Sequence, residues 1–162
     1  MKSGPTIRPA TRADAAGIAR IYNQGIEDRI ATFETEPKTE PDVLTWFERR
    51  HPIVVVEDSE QIVAFAATSP SSGRSCYATN AEFSVYVARE ARCRGLGRAA
   101  MVGLLEAARQ AGLTKLLSRV FPENAPSRAL LRGLGFREVG THERHAKLDG
   151  AWRDVVIVEL LL

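Results

Sequence analysis

Arg92, Arg94 and Arg98 are interleaved with Gly95 and Gly97 in one short stretch that follows the alternating run Glu82 to Ala88. A strand that runs into a glycine-bearing turn and then a helix brings several backbone N–H groups and the positive end of a helix dipole to one place. Guanidinium groups beside that place can hold phosphate oxygens in paired hydrogen bonds. The chemistry expected there is the grip of a pyrophosphate. No Gly-Lys-Ser/Thr follows the glycines, so this is not a P-loop, and the third glycine of the dinucleotide fingerprint is missing. The spacing that remains is Arg-x-x-Gly-x-Gly, from Arg92 to Gly97.

Other reactive residue types carry less. Cys76 and Cys93 are the only cysteines and have no patterned histidine nearby, so they are expected as small packing residues in a reducing cytoplasm. His142 and His145 are three apart in an expected strand, which would turn them to opposite faces and disfavour a shared metal ion; no metal is expected. Trp46 and Trp152 are expected to pack.

The elements that must position the glycine-arginine turn follow from periodicity. Ile7 to Ala10 reads as a strand, and Thr11 with Asp14 forms a capping box that opens a helix faced by Ile18, Ile21, Tyr22 and Ile26. Thr39, Pro41 and Asp42 start a second helix after a polar loop, Asp28 to Lys38. Ile53 to Glu57 and Ile62 to Thr68 read as a hairpin, and Phe83, Val85 and Val87 alternate with Ser84 and Tyr86 in a further strand. Helical spacing resumes at Gly97 and ends at Gly112; Leu116 to Val120 is a strand. Asn124 to Ser127 opens a last helix that Gly135 closes, and Asp149-Gly150 joins two final strands as a tight hairpin. The order is mixed, with a strand-helix-strand passage expected to set two parallel strands side by side in an α/β (α+β) sandwich.

At 162 residues one domain, 1–162, is expected, with 44% hydrophobic and 26% charged residues in ordinary globular proportion. A formal charge of +2 gives no basic face for nucleic acid, and the sequence shows neither a signal peptide nor a long apolar span for a membrane.

The Arg-x-x-Gly-x-Gly turn after a Val-x-Val strand resembles the acetyl-CoA signature of the GCN5-related N-acetyltransferase (GNAT) superfamily. Asn124, Ser127, Leu130, Gly135 and Phe136 are similar to that superfamily's later Asn-x-x-Ser-x-x-Leu-x-x-x-x-Gly-Phe pattern. Ile7 to Thr11, Ala31 to Pro37, Arg74 to Glu82, Ser84 to Val87 and Gly150 to Val155 resemble the phosphinothricin N-acetyltransferase group, and within it the arsinothricin N-acetyltransferases.

The resemblance implies a mixed, mostly antiparallel twisted sheet flanked by helices, with a parallel strand pair splayed at the acetyl-CoA site. It implies an acetyl-CoA-dependent N-acetyltransferase of a small acidic amine such as phosphinothricin, arsinothricin or methionine sulfoximine, commonly a homodimer. Val85, Tyr86 and Val87 would meet the pantetheine, and Arg92, Cys93, Arg94, Gly95, Leu96, Gly97, Arg98 and Ala99 would wrap the diphosphate. Asn124 and Ser127 would hold the cofactor arm. Glu82 stands at the family position for the base; an ordinary glutamate pKa of about 4.3 makes it weak unless burial or a relaying water helps. Arg74 and Tyr77 would read the substrate anion, with Arg29 and Phe33 beside them. Many superfamily members carry a tyrosine general acid where this chain has Leu131, so none is assigned. A protein N-terminal amine as acceptor, or a non-catalytic acetyl-CoA-binding regulator, are the alternatives.

Overall fold

A computed structural model describes residues 4–162. Its strands are β1 (Thr6–Pro9), β2 (Ile53–Asp58), β3 (Gln61–Pro70), β4 (Asn80–Val87), β5 (Lys115–Val120), β6 (Arg137–Leu148) and β7 (Ala151–Leu161). The helices are α1 (Ala15–Asp28), α2 (Glu40–Leu44), α3 (Leu96–Gln110) and α4 (Ala125–Gly133). One sheet runs β1-β2-β3-β4-β5-β7-β6, antiparallel at every step except β4–β5, which is parallel. This is the mixed, mostly antiparallel arrangement expected from the sequence.

Local chemistry accounts for the boundaries. Thr11 and Asp14 form the expected capping box, although one 3-10 turn (Arg12–Asp14) precedes α1. Thr39 caps α2 through Asp42 in the same way. Both hairpin turns hold two residues in the left-handed region: Asp149 and Gly150 at φ 49° and 79°, and Ser59 and Glu60 at 53° and 65°. The mirror-image turn matches the twist of the flanking strands, which explains why β2 and β3 tolerate the strain without a glycine.

The two faces of the sheet are packed differently. Tyr86 lies opposite Phe65 in register and stacks on it, ring centroids 5.4 Å apart, and Tyr22 of α1 meets the Tyr86 ring edge-on at 5.0 Å. Burial, and then the nearby Tyr22, push the Tyr86 phenol well above its ordinary pKa. On the opposite face Gly103 of α3 sits against Ile7 and Val54, and Gly97 against Val87. A methyl group at Gly25 of α1 would stand 2.6 Å from Tyr86 Cε1, so the helix backbone rests directly on the ring. Gly25→Ala should therefore lower unfolding free energy by about 1–3 kcal/mol in chemical denaturation, the usual penalty for overpacking; an unchanged midpoint would show that the ring can yield.

α4 is pinned to β6 by charge. Arg128 holds both oxygens of Glu138 at 2.9 Å, and Arg132 adds a contact at 3.1 Å. The Arg128 hydrogen bonds bring the Glu138 pKa down to about 2. A depressed carboxylate contributes stability above its unfolded pKa, about 4.3, and loses that contribution as pH falls toward 2. Glu138→Gln should thus lower Tm at pH 7, with the gap to the native chain closing between roughly pH 4.3 and 2; a gap independent of pH would place the effect elsewhere.

Three expectations require correction. Cys76 and Cys93 are exposed rather than packed. Trp46 does pack, edge-on to Tyr22 at 5.8 Å, but Trp152 is 54% exposed, with the Lys147 ammonium 5.0 Å from its ring centroid. His142 and His145 do not point apart. Glu143, Arg144 and His145 of β6 lie between the pairs His142–Val155 and Ala146–Arg153, where β7 has only Asp154. This bulge, with Arg144 at φ 47°, breaks the alternation and brings the two imidazoles to 5.1 Å.

Candidate active site

The parallel ladder between β4 and β5 is short. It pairs Asn80 with Lys115, Ala81 with Leu116 and Glu82 with Leu117, and then the strands part. Beyond that point β4 remains paired with β3, and β5 with β7, so a wedge opens inside a continuous sheet. The Ser118 hydroxyl donates to the Phe83 carbonyl across the mouth of the wedge at 2.9 Å. Because main-chain groups alternate in direction along a strand, Val85 and Val87 also turn theirs into the gap. The Val87 carbonyl accepts a long hydrogen bond from Arg92 Nε, 3.4 Å.

The gap is a cavity of ≈510 Å³, within the range of cofactor sites. Its far end is the glycine-arginine turn, where Cys93 and Gly95 adopt φ 63° and 76° before α3 begins. Ala99 N–H makes the first helical bond, to the Gly95 carbonyl at 3.1 Å, so the amides of Leu96, Gly97 and Arg98 have no acceptor within the helix. Arg98 lines the gap and has no ion-pair partner among the described residues. Arg92 also lines it, its guanidinium 2.7 Å from Asp28 Oδ2. Arg94 and Ala99 do not line it: Arg94 is drawn to Asp58 at 2.8 Å, and Ala99 has entered the helix. Across the gap, Asn124 caps α4 by accepting from Ser127 N–H at 3.3 Å and donates to the Ile30 carbonyl at 3.2 Å. Leu131 lines the gap but is 1% exposed and carries no ionisable group, and the Tyr86 ring is buried.

A second, more polar cavity of ≈470 Å³ adjoins the first and shares Ala31, Ser84, Tyr86, Ser118, Arg119 and Phe121 with it. The loop after α1 covers it with Thr32, Phe33 and Glu34, Phe33 meeting Phe121 edge-on at 5.0 Å. Glu82 lines this cavity, and its Oε1 lies 2.8 Å from Arg119 Nη1. Its side chain is 30% exposed.

Of the residues expected at the acceptor, the structure brings Glu82 and Phe33 together. Arg74 and Tyr77 lie on an exposed turn outside both cavities, the Arg74 guanidinium 5.7 Å from the Tyr77 ring. Arg29 is bound to Asp149 at 3.0 Å and to the Ile26 carbonyl at the end of α1, away from both. Sequence reasoning missed Ser84, Ser118, Thr32 and Arg119. The available signal was Ser118-Arg119, a polar pair inside the apolar run Leu116 to Phe121. Among the described residues no cluster of three or more metal-ligating side chains occurs, and no helix is long and apolar enough to cross a membrane.

A mixed sheet split between two parallel strands, with a helix N-terminus closing the split, is an architecture that binds a long phosphorylated ligand along an open strand. The family model described as acetyltransferase (GNAT) family matches residues 18–136, and the chain belongs to that family. It is similar to the phosphinothricin N-acetyltransferase of Streptomyces viridochromogenes, 32% identical over 92% of this chain and 83% of the relative. Among solved structures, the ribosomal-protein-alanine N-acetyltransferase from Brucella melitensis superposes with a TM-score of 0.92 at 32% identity, covering 97% of this chain and 99% of that one. The GNAT superfamily phosphinothricin acetyltransferase from Sinorhizobium meliloti, solved in complex with acetyl-CoA, gives 0.90 at 27% identity, covering 99% and 89%.

Proposed function

We propose that this protein transfers the acetyl group of acetyl-CoA to the α-amine of a small acidic amino-acid analogue such as phosphinothricin, arsinothricin or methionine sulfoximine. The observation that carries the reading is the continuity of two unlike cavities: one along an open strand edge to a helix N-terminus, the other polar and holding Glu82. The acetyl-CoA complex of the Sinorhizobium relative supports the donor, and the name of the Streptomyces relative supports the acceptor class.

The residues divide the work. Val85 and Val87 offer main-chain groups to the amides of a pantetheine arm, as a strand edge does to a peptide. The free amides of α3 and the Arg98 guanidinium take the diphosphate. Glu82, directly or through a water, receives the proton that the ammonium must lose before nitrogen can attack the thioester carbonyl; the C–N bond then forms to give a tetrahedral intermediate, and as this collapses the C–S bond breaks and the second nitrogen proton passes to water. A main-chain amide near Val85 would steady the negative oxygen. The thiolate leaves unprotonated or takes a proton from water, since Leu131 has none to give. A cytoplasmic homodimer belongs to the same reading and is supported by resemblance to a dimeric group. A role in resistance or detoxification would follow from such substrates.

The test is free-thiol release from acetyl-CoA with phosphinothricin, arsinothricin and methionine sulfoximine, beside a peptide with an N-terminal alanine. Turnover of the amino-acid analogues is expected. Turnover of the peptide alone would move the acceptor to protein N-termini, in line with the name of the Brucella relative; thermal stabilisation by acetyl-CoA without turnover of any amine would indicate a regulator.

A further inference from the structure

Among the described residues the acceptor cavity is lined by one cationic side chain, Arg119, and its use goes beyond what the resemblance assigned. Arg119 lies two residues past Leu117, the last β5 residue paired with β4, and so on the same side of the strand as Leu117, the partner of Glu82. That register sets a guanidinium beside a carboxylate, Nη1 to Oε1 2.8 Å, where the two cavities meet. Glu82 engages one of its nitrogens. Among the described residues no hydrogen bond is made by Nε or Nη2, and the side chain is 45% exposed. A guanidinium carries five N–H donors in a fixed fork, so most of its capacity faces open space. As an ordinary surface ion pair this contact would contribute little to the fold.

An α-amino acid presents an ammonium and a carboxylate on one carbon, two opposite charges a few ångströms apart. Glu82 and Arg119 present the complementary charges at the same scale. Arg74 lies outside the cavity and Arg29 is taken by Asp149, so neither competes for this role. We propose that Arg119 binds the α-carboxylate of the acceptor while Glu82 meets the α-ammonium, so that the pair selects α-amino acids over simple amines and delivers the nitrogen to the base. This rests on the amino-acid reading of the acceptor given above, and no new covalent step is involved.

The experiment compares L-phosphinothricin and methionine sulfoximine with the amines obtained by replacing each α-carboxylate with hydrogen, in the native enzyme and in Arg119→Leu and Arg119→Lys. Native enzyme should prefer the amino acids in kcat/KM by roughly 10²-fold or more, the usual scale for a charged recognition contact. Arg119→Leu should cut that preference at least tenfold, chiefly through KM, and Arg119→Lys should restore part of it. Acetyl-CoA binding measured by calorimetry should persist in both variants, which also shows that they fold. Equal use of the amino acids and their amines by native enzyme, or a preference untouched in Arg119→Leu, overturns the assignment while leaving N-acetylation intact. Turnover of no amine at all overturns the proposed function itself, and this inference with it.

Discussion

Glu82→Gln is expected to lower kcat at neutral pH by about 10²-fold or more, the range in which a positioned general base contributes, with acetyl-CoA affinity changed little. The amide keeps the shape and can still accept from Arg119, so the fall in kcat at saturating acceptor reports proton acceptance, while the lost charge facing the ammonium shows in KM. Glu82 lies at the last paired position of the β4–β5 ladder, Glu82 opposite Leu117, which fixes its backbone at the root of the wedge. The side chain then projects into the polar cavity and not the cofactor gap, which is why the donor should bind normally. Raising pH supplies more free amine, so the defect should shrink in alkaline assays if Glu82 acts as the base. A variant with native turnover at neutral pH would remove Glu82 from that role and leave bulk water as the proton acceptor.

The second large effect is expected at the diphosphate. Gly97→Asp should weaken acetyl-CoA binding by at least about 10²-fold in calorimetry while the chain remains folded. A β-carbon at Gly97 would stand 3.0 Å from Leu130 Cδ1 and 3.3 Å from Val87 Cγ2, so the glycine lets α3 close on both α4 and β4. The nearest neighbour is the far end of a leucine and can shift, and an acidic residue in the first helical turn suits the dipole. Gly97 is buried, so the carboxylate should cost some stability, read from a thermal melt beside the calorimetry, and it would place a negative charge where the phosphates are proposed to lie. Gly97→Ala separates the causes: a small loss there, against a large one with aspartate, assigns the effect to charge. Equal affinity in the native chain and Gly97→Asp would move the diphosphate away from α3.

Much of the architecture was legible because local rules set it. The capping boxes at Thr11 and Thr39, the tight turn at Asp149-Gly150 and the helix stops at Gly112 and Gly135 use hydrogen bonds or backbone angles within a few residues of each other. The glycine-arginine turn was legible for the same reason: strand, left-handed residues and helix start are contiguous in the chain. Periodicity failed at His142 and His145, since a bulge depends on how β6 meets β7 and not on either strand alone. It also failed for Trp152, whose exposure follows from its place beside a hairpin turn.

The sequence by itself therefore determined the order of elements, the glycine-arginine turn at the start of a helix and the membership of a strand-helix-strand unit, all of them properties of near neighbours. Only the tertiary structure decided that β4 and β5 part after three pairs, that Arg119 meets Glu82, that Arg94 and Arg29 are held by acids elsewhere, and that Arg74 lies outside the polar cavity holding Glu82. The reason is distance along the chain. Glu82 and Arg119 are 37 residues apart, and a side chain's direction at such separation is set by strand register and by competing charges, which no local pattern encodes.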